Sequence, residues 1–347
     1  MTDLSRRIAP LRHRARLVAA IRAFLDGRGY LAVETPRLCR TPIPEAHIEL
    51  FETHRAAHPD DSLWLLPSPE YYLKQLLAAG SGSIYEITHS FRDGEEIGRY
   101  HDIEFTMLEY YTVNADGDAS LEVTRELLQA LGETTAPVNL SMQEAWKRFI
   151  GIDLAATIQE SGVSGERRAT AKAGGRGLNS SASSAGAPET TGHRDLMVEA
   201  IRRAGLTLSI SPDDAWEDLF QRVFLSYIEP ELPRDRPVFV TDYPAAVSTL
   251  ARRKSGTPWA DRWELYLGGV EVANCFGEET DPDRIAVFFR EQQTEKPLLG
   301  RRVHPVDPTF LRAPPLPRCS GVAMGVDRLV MHLLGANDMG EVVSFRP

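Results

Sequence analysis

The amino-acid sequence predicts an α+β fold in which an antiparallel sheet is flanked by helices. Residues 83–92 and 102–113 have strand-like patterns and are joined by the charged loop DGEEIGRYH, which favours a long antiparallel hairpin. Apolar residues at helical spacing predict helices before and after this hairpin, over residues 8–26 and in RDLMVEAIRRAGL. Late in the chain, SGVAMGVDRLVMHLLG predicts a glycine-rich strand that runs directly into a helix.

Capping and breaking residues define the other elements. The helix over residues 8–26 is closed by Gly27, and the strand predicted for YLAVETPRL stops at Pro36. SPEYYLKQLLAAG predicts a short helix that begins near Pro69, with Ser68 as its N-cap. Further helices are predicted for ASLEVTRELLQALG and AWEDLFQRVFLSYIEPEL, and further strands around residues 237–243 and 263–278.

Composition narrows the class of protein. The chain has 347 residues, 42% hydrophobic and 25% charged, and no apolar run approaches the roughly 20 residues that span a bilayer. Its net charge of −10 argues against a broad attraction to nucleic acid. The cysteines, Cys39, Cys275 and Cys319, are far apart and odd in number, so they predict reduced thiols rather than disulfides or a metal site. We expect a cytoplasmic protein without a membrane anchor.

Residues 161–192 differ in composition from the rest of the chain. They contain no aromatic residue and are rich in Ser, Gly and Ala. Such a segment buries too little apolar surface to offset its conformational entropy. We predict a disordered insertion within a single catalytic domain that spans residues 1–347.

One face of the predicted hairpin carries mixed chemistry. Because side chains alternate along a strand, Phe105, Met107, Glu109 and Tyr111 share one face. An aromatic ring, a carboxylate and a phenol together suggest the floor of a binding site. Arg92 lies at the loop end of the partner strand, where a guanidinium can bind phosphate or carboxylate through two hydrogen bonds.

A second mixed face lies in WELYLGGVEVANCFGEETD. Glu264 and Glu271 flank a Gly-Gly turn that can fold their strands together, and paired carboxylates suit Mg²⁺ with substrate phosphates. Asn274, Phe276 and Glu278 again share one strand face. The pattern favours a ligand that bears an amino group near a metal-bound phosphate; an exposed acidic sheet edge is the alternative interpretation.

The third group lies in GVAMGVDRLVMHLL. Gly321 and Gly325 allow a ligand close to the backbone, and Arg328 begins the following helix. His332 lies among apolar residues and is expected to be packed rather than catalytic. The phosphate-loop pattern is absent from the sequence.

In this order the three groups resemble the catalytic domain of the class II aminoacyl-tRNA synthetases. RGYLAVETPRL resembles its motif 1, the dimer-forming element; SFR to EFTMLEYY resembles motif 2; and GVAMGVDRL resembles motif 3. SPEYYLKQLL, DYPAAVSTLAR and VEVANCFGEETD resemble the lysyl branch. The motif-1-like segment lies within the first 40 residues, which leaves no room for an anticodon-binding domain. The short form most similar to this chain is the elongation factor P lysine ligase family.

The resemblance implies a role for each matching residue. Arg92 and Arg328 would be the catalytic cations. ATP would be bound by Arg92, Glu95, His101, Asp102, Phe105, Glu271, Val272, Gly325 and Arg328, with Mg²⁺ on Glu264 and Glu271. The amino acid would be bound by Ser68, Glu70, Glu109, Tyr111, Asn274, Phe276, Glu278 and Ala323. In the ligase family an alanine at the position of Ala323 is linked to a preference for (R)-β-lysine.

Some positions depart from the family pattern. FRDGE is one residue longer than the family's FRNE, so either Glu95 or Glu96 would contact adenine. Asp102 and Ile103 replace an Asn-Pro pair, and Cys275 replaces a glycine. These changes remove no charged group from the implied site.

The expected function is therefore that of an ATP-dependent ligase. It would activate (R)-β-lysine or lysine as an adenylate and transfer it to the ε-amino group of a lysine on elongation factor P, as a homodimer. Two alternatives stay open: a truncated lysyl-tRNA synthetase that charges tRNA, and a non-catalytic paralogue that acts as a regulatory binding module. The sequence leaves open the choice between α- and β-lysine, the surface that docks the acceptor protein, and the role of the insertion.

Overall fold

A computed structural model of the chain describes residues 7–160, 190–308, 310 and 315–346. Eight α-helices occur within these residues: α1 (Ile8–Gly27), α2 (Glu70–Ala78), α3 (Gly117–Ala130), α4 (Met142–Ile150), α5 (Arg194–Arg203), α6 (Trp216–Val223), α7 (Pro282–Leu298) and α8 (Val326–Leu334). The strands are β1 (Leu31–Ala32), β2 (Leu38–Cys39), β3 (Glu52–Arg55), β4 (His58–Leu65), β5 (Ile84–Phe91), β6 (Glu104–Val113), β7 (Val138–Ser141), β8 (Ile158–Glu160), β9 (Thr190–Gly192), β10 (Val238–Thr241), β11 (Arg262–Leu267), β12 (Val270–Gly277) and β13 (Cys319–Gly325).

The main sheet has eight strands in the order β1-β5-β6-β13-β12-β11-β10-β7. Its six central strands are antiparallel, and the short outer strands β1 and β7 pair in parallel. The predicted α+β fold with an antiparallel sheet is therefore confirmed. The hairpin of β5 and β6 lies where the sequence placed it. β13 fills the centre of the sheet between β6 and β12, although it comes last among the strands.

The helices bury apolar residues on one side of this sheet. Leu121, Leu127 and Leu128 of α3 pack with Leu329 and Val330 of α8 in one cluster that also includes α1. Because this side of the sheet is covered, the opposite face is the one left to form a cleft. The mixed faces predicted from the sequence lie on that opposite face.

Two smaller sheets complete the described structure. β2, β4 and β3 form one, close to the start of α2. The strand predicted for YLAVETPRL is shorter than expected, since only residues 31–32 and 38–39 pair. β8 and β9 form the other small sheet, so the last three residues of the predicted insertion are paired. The rest of that insertion lies outside the described residues, and its disorder stays a prediction.

Candidate active site

Strand register arranges the predicted residues in rows across the sheet. Direct cross-strand neighbours share a face, and one row runs through Glu86, Glu109, Ala323, Asn274 and Glu264. The next row runs through Ile84, Tyr111, Gly321, Phe276 and Arg262. The predicted grouping of these side chains on one face therefore holds across five strands, not only along each strand.

A β-bulge adds Glu271 to the same face. Tyr266 pairs with Glu271, but Leu265 pairs with Ala273, so Val272 is the extra residue in β12. Without this shift, strict alternation would place Glu271 and Asn274 on opposite faces. The sequence did not predict this bulge. Because of it, side chains from both halves of β12 face the same cleft.

A cavity of about 120 Å³ lies over the centre of the sheet. All the residues predicted to bind the amino acid line it: Ser68, Glu70, Glu109, Tyr111, Asn274, Phe276, Glu278 and Ala323. The structure thus brings together this whole set from four separate segments of the chain. Its role in binding stays a prediction.

Lys74 is a charged residue of this site that the sequence reasoning missed. Its side chain is buried, and Nζ lies 2.5 Å from Oε1 of Glu70 and 2.8 Å from Oε2 of Glu278. Burial alone would lower the pKa of Lys74, but the charges of Glu278 and Glu70 raise it above its ordinary value. The lysine therefore stays charged and holds two pocket carboxylates together. Its spacing of four residues from Glu70 in a predicted helix was the available signal.

Several buried polar atoms of the cavity have no hydrogen-bond partner among the described residues. They include Oε2 of Glu109, Oδ1 of Asn274 and Nε of Arg92. The other carboxylate oxygen of Glu109 accepts a 2.7 Å hydrogen bond from the Tyr111 hydroxyl. Burial raises the pKa of Glu109 well above its ordinary value. Unsatisfied buried acceptors beside a carboxylate suit a ligand with ammonium groups, which would supply the missing donors.

A second, wider cleft of about 700 Å³ adjoins this cavity. It is lined by every residue predicted to bind ATP: Arg92, Glu95, His101, Asp102, Phe105, Glu271, Val272, Gly325 and Arg328. Of the two candidates for adenine, Glu95 lines the cleft, whereas Glu96 is exposed and does not. The guanidinium of Arg92 lies 5.2 Å from the ring centroid of Phe105.

Charged groups are linked along the loop between β5 and β6. His101 Nδ1 lies 3.2 Å from a carboxylate oxygen of Glu95 and 3.1 Å from Nη2 of Arg328. The hydrogen bond from His101, with the charge of Arg92, lowers the pKa of Glu95 to about 2. Glu95 therefore stays ionised at neutral pH.

Arg328 and Asp102 are held mainly by the protein. Arg328 donates to the carbonyl oxygens of Tyr100 at 3.0 Å and Glu271 at 2.9 Å, which ties α8 to the loop and to β12. The buried carboxylate of Asp102 accepts from its neighbour's backbone N–H and, at 2.7 Å, from Arg346. Asp102 thus fixes the loop, and its direct contact with ATP stays a prediction.

The two predicted metal ligands have different surroundings. Glu271 lines the wider cleft, but Glu264 does not. The carboxylate of Glu264 accepts hydrogen bonds at 2.7 Å from Arg262 and from Tyr266, and another from the Tyr243 hydroxyl. Burial and the charge of Glu264 raise the pKa of Glu271 to about 7. A divalent cation beside Glu271 would relieve this repulsion, so Glu271 suits a cation that is otherwise held by substrate phosphates, with Glu264 contributing its charge from behind.

No group of three or more His, Cys, Asp or Glu side chains within the described residues is arranged to hold a metal ion. Nor is any helix in the described part of the chain both long and apolar enough to cross a membrane.

Comparison with known proteins agrees with this geometry. Residues 4–346 match the family model for tRNA synthetases class II (D, K and N). A curated relative, the elongation factor P–(R)-β-lysine ligase of Yersinia enterocolitica (serotype O:8, biotype 1B), is 35% identical over 344 residues. The alignment covers 97% of this chain and 95% of the relative. The resemblance inferred from the motifs is confirmed: the chain belongs to the class II tRNA synthetase family.

Proposed function

We propose that this protein is an ATP-dependent ligase that activates (R)-β-lysine as an adenylate and transfers it to a lysine of elongation factor P. The observation that carries the proposal is the acidic cavity beside the wider cleft. Four carboxylates, those of Glu45, Glu70, Glu109 and Glu278, line this cavity together with one cation, Arg92. Lys74 lies beside the cavity and pairs with Glu70 and Glu278. A substrate with two ammonium groups would complement the remaining negative charge.

In the first half-reaction the substrate carboxylate attacks the α-phosphate of ATP and pyrophosphate leaves. Arg92 lies where the two cavities meet, since it lines both. Its guanidinium is placed to neutralise both the attacking carboxylate and the phosphate, and its unpartnered Nε offers a donor for this. Phe105 would support the adenine ring, and the amino-acid cavity would position the carboxylate.

Mg²⁺ would be held by Glu271, supported by Glu264, and would neutralise charge on the phosphates when bound. The bulge of β12 contributes to this arrangement, because it directs Glu271 and Asn274 into adjoining parts of the cleft.

We also propose that the protein acts as a homodimer in the cytoplasm. The segment that resembles motif 1 carries two exposed apolar residues, Leu31 and Leu38, which a partner subunit would cover. The three cysteines are all buried and unpaired, as is typical of proteins in a reducing compartment.

Amino-acid-dependent ATP–pyrophosphate exchange tests the proposed function. We expect strong exchange with (R)-β-lysine, weak exchange with α-lysine and none without an amino acid. Ala323→Gly should shift the preference toward α-lysine, because Ala323 lies between Glu109 and Asn274 in the row that lines the cavity. Exchange with α-lysine alone would favour the charging of tRNA, to be decided by offering both acceptors. No exchange with either amino acid would contradict the enzyme and favour a binding module.

A larger side chain at Gly321 would test whether the amino acid binds in this cavity, because it would change the shape of the cavity. A methyl group at this position would clash with the Tyr111 ring and lie 2.6 Å from Oε1 of Glu278. Relieving such overpacking costs about 1–3 kcal/mol, so Gly321→Ala should raise the KM for the amino acid about 5- to 160-fold. The KM for ATP should change little, because Gly321 does not line the wider cleft.

Gly27→Ala is the matched control for Gly321→Ala. A methyl group at Gly27 meets no atom within 4 Å, and both KM values should stay as in the wild type. An unchanged KM for the amino acid in Gly321→Ala would show that the substrate binds elsewhere.

A further inference from the structure

The two cavities meet at a small set of residues that line both: Glu45, Ile48, Arg92, Met107, Asn274 and Ala323. In the proposed reaction, this junction is where the amino-acid carboxylate and the α-phosphate of ATP come together. Only two of these six residues have ionisable side chains. Arg92 is the cation, and Glu45 is the acidic group that accompanies it.

Glu45 lies in the loop between β2 and β3, outside the motifs that the sequence singled out. Its carboxylate makes no hydrogen bond or ion pair with any of the described residues. The charged groups that face it are Glu70 and Lys74 from α2, Arg92 from the end of β5, and Lys296 from α7. A carboxylate with no protein partner at a reaction centre is free to exchange a proton.

The charges around Glu45 adjust its basicity. Burial and the negative charge of Glu70 raise the pKa of Glu45 to about 7, against the opposing charges of Arg92, Lys296 and Lys74. A general base is most effective when its pKa lies close to the working pH. Glu95, an acidic residue that lines the wider cleft, has its pKa lowered to about 2 and is a much weaker base.

We propose that Glu45 is the proton acceptor of the transfer half-reaction. The inference rests on the proposed function and extends it. The amine of the acceptor lysine attacks the adenylate carbonyl, a C–N bond forms, and the bond between the carbonyl carbon and the phosphate oxygen breaks. AMP leaves with the electron pair of that bond. The proton lost by the amine passes to the Glu45 carboxylate and then to water.

The other pocket carboxylates are less suited to this step. Glu70 and Glu278 are engaged by Lys74, and Glu109 accepts from the Tyr111 hydroxyl. None of these three lines the wider cleft as well as the amino-acid cavity. They surround the substrate, whereas Glu45 adjoins the bond that is made.

Glu45→Gln tests the inference, because glutamine keeps the shape and loses the basic oxygen. We expect the single-turnover rate of transfer from preformed adenylate to elongation factor P to fall about 10²-fold or more relative to the exchange rate. Transfer to hydroxylamine, which is largely uncharged at neutral pH, should fall far less. Glu45→Asp should restore part of the loss. Glu49→Gln, an acid-to-amide change in the same loop outside both cavities, should match the wild type.

The pH profile provides a second measurement. In the wild type, the ratio of transfer to elongation factor P over transfer to hydroxylamine should fall as the pH drops through about 7, where Glu45 gains a proton. This inflection should be absent in Glu45→Gln. Equal losses of exchange and of both transfers would show that Glu45 only binds substrate, and an unchanged ratio would also overturn the inference. Failure of the wild type to exchange or transfer would instead overturn the proposed function, and the inference with it.

Discussion

Replacing Arg92 by alanine is expected to lower ATP–pyrophosphate exchange on the order of 10³-fold. Among the described residues, Arg92 is the one cation that lines both cavities, and its buried Nε has no hydrogen-bond partner there. Removing a single preorganised donor from a developing negative charge costs about 10²–10³-fold in rate, and a guanidinium supplies more than one. The loss should appear mainly in kcat, measured from initial exchange rates with both substrates saturating.

Two further variants show whether the loss comes from the guanidinium group of Arg92. Arg92→Lys keeps the charge but not the planar pair of donors, so it should recover only part of the rate. Arg203→Ala is the matched control, since Arg203 is exposed on α5 and pairs with the exposed Glu199. An Arg92→Ala protein with near wild-type kcat would show that this junction is not the reaction centre.

Replacing Lys74 by methionine is expected to lower the free energy of unfolding by about 3–5 kcal/mol. Methionine fills a similar volume, but Glu70 and Glu278 would then lose their shared buried cation. Removing one partner of a buried ion pair leaves an uncompensated charge, which is far more costly than losing an exposed pair. Urea unfolding monitored by tryptophan fluorescence would measure the difference. Lys147→Met, on the exposed side of α4, should change stability by less than about 0.5 kcal/mol.

The deficit of Lys74→Met should depend on pH. Burial raises the pKa of Glu278 in the folded protein, and Lys74 opposes that rise. Without Lys74 the folded pKa rises further above the unfolded value, so the folded state favours the protonated carboxyl. Stability is then lost as pH rises and recovered as pH falls. The variant should therefore lie closer to the wild type at pH 5 than at pH 8, and a deficit that is independent of pH would contradict this assignment.

Much of the fold could be predicted because the relevant signals are local. The hairpin of β5 and β6, the helices α1 and α2, and the strand that leads into α8 each have their own periodicity or capping residue. The family resemblance, which the comparisons confirm, supplied the joining of these pieces. By contrast, β3 and β4 were not predicted, since their exposed, polar residues such as His54 and Asp60 give no clear alternation of buried positions.

The site was predicted in its membership but not in its internal contacts. Tyr111, Asn274 and Glu278 could be grouped by strand alternation and motif. Lys74 could not be distinguished from a surface lysine, because its burial results from packing between distant segments. Glu45 lies in a loop without any periodicity, so only the folded chain shows that it adjoins Arg92. The roles of these residues stay predictions until the variants are measured.

The late position of β13 in the chain has a consequence for folding kinetics. β5 with β6, and β11 with β12, are local hairpins that can form early. The two halves of the sheet are joined only when β13, about 200 residues beyond β6, inserts between them. Closing so long a loop is entropically slow, which makes insertion of β13 a natural rate-limiting step. Until then β6 and β12 expose unpaired edges to other chains. During refolding, we expect aggregation to compete with the gain of activity at this step, so that dilution should improve the yield.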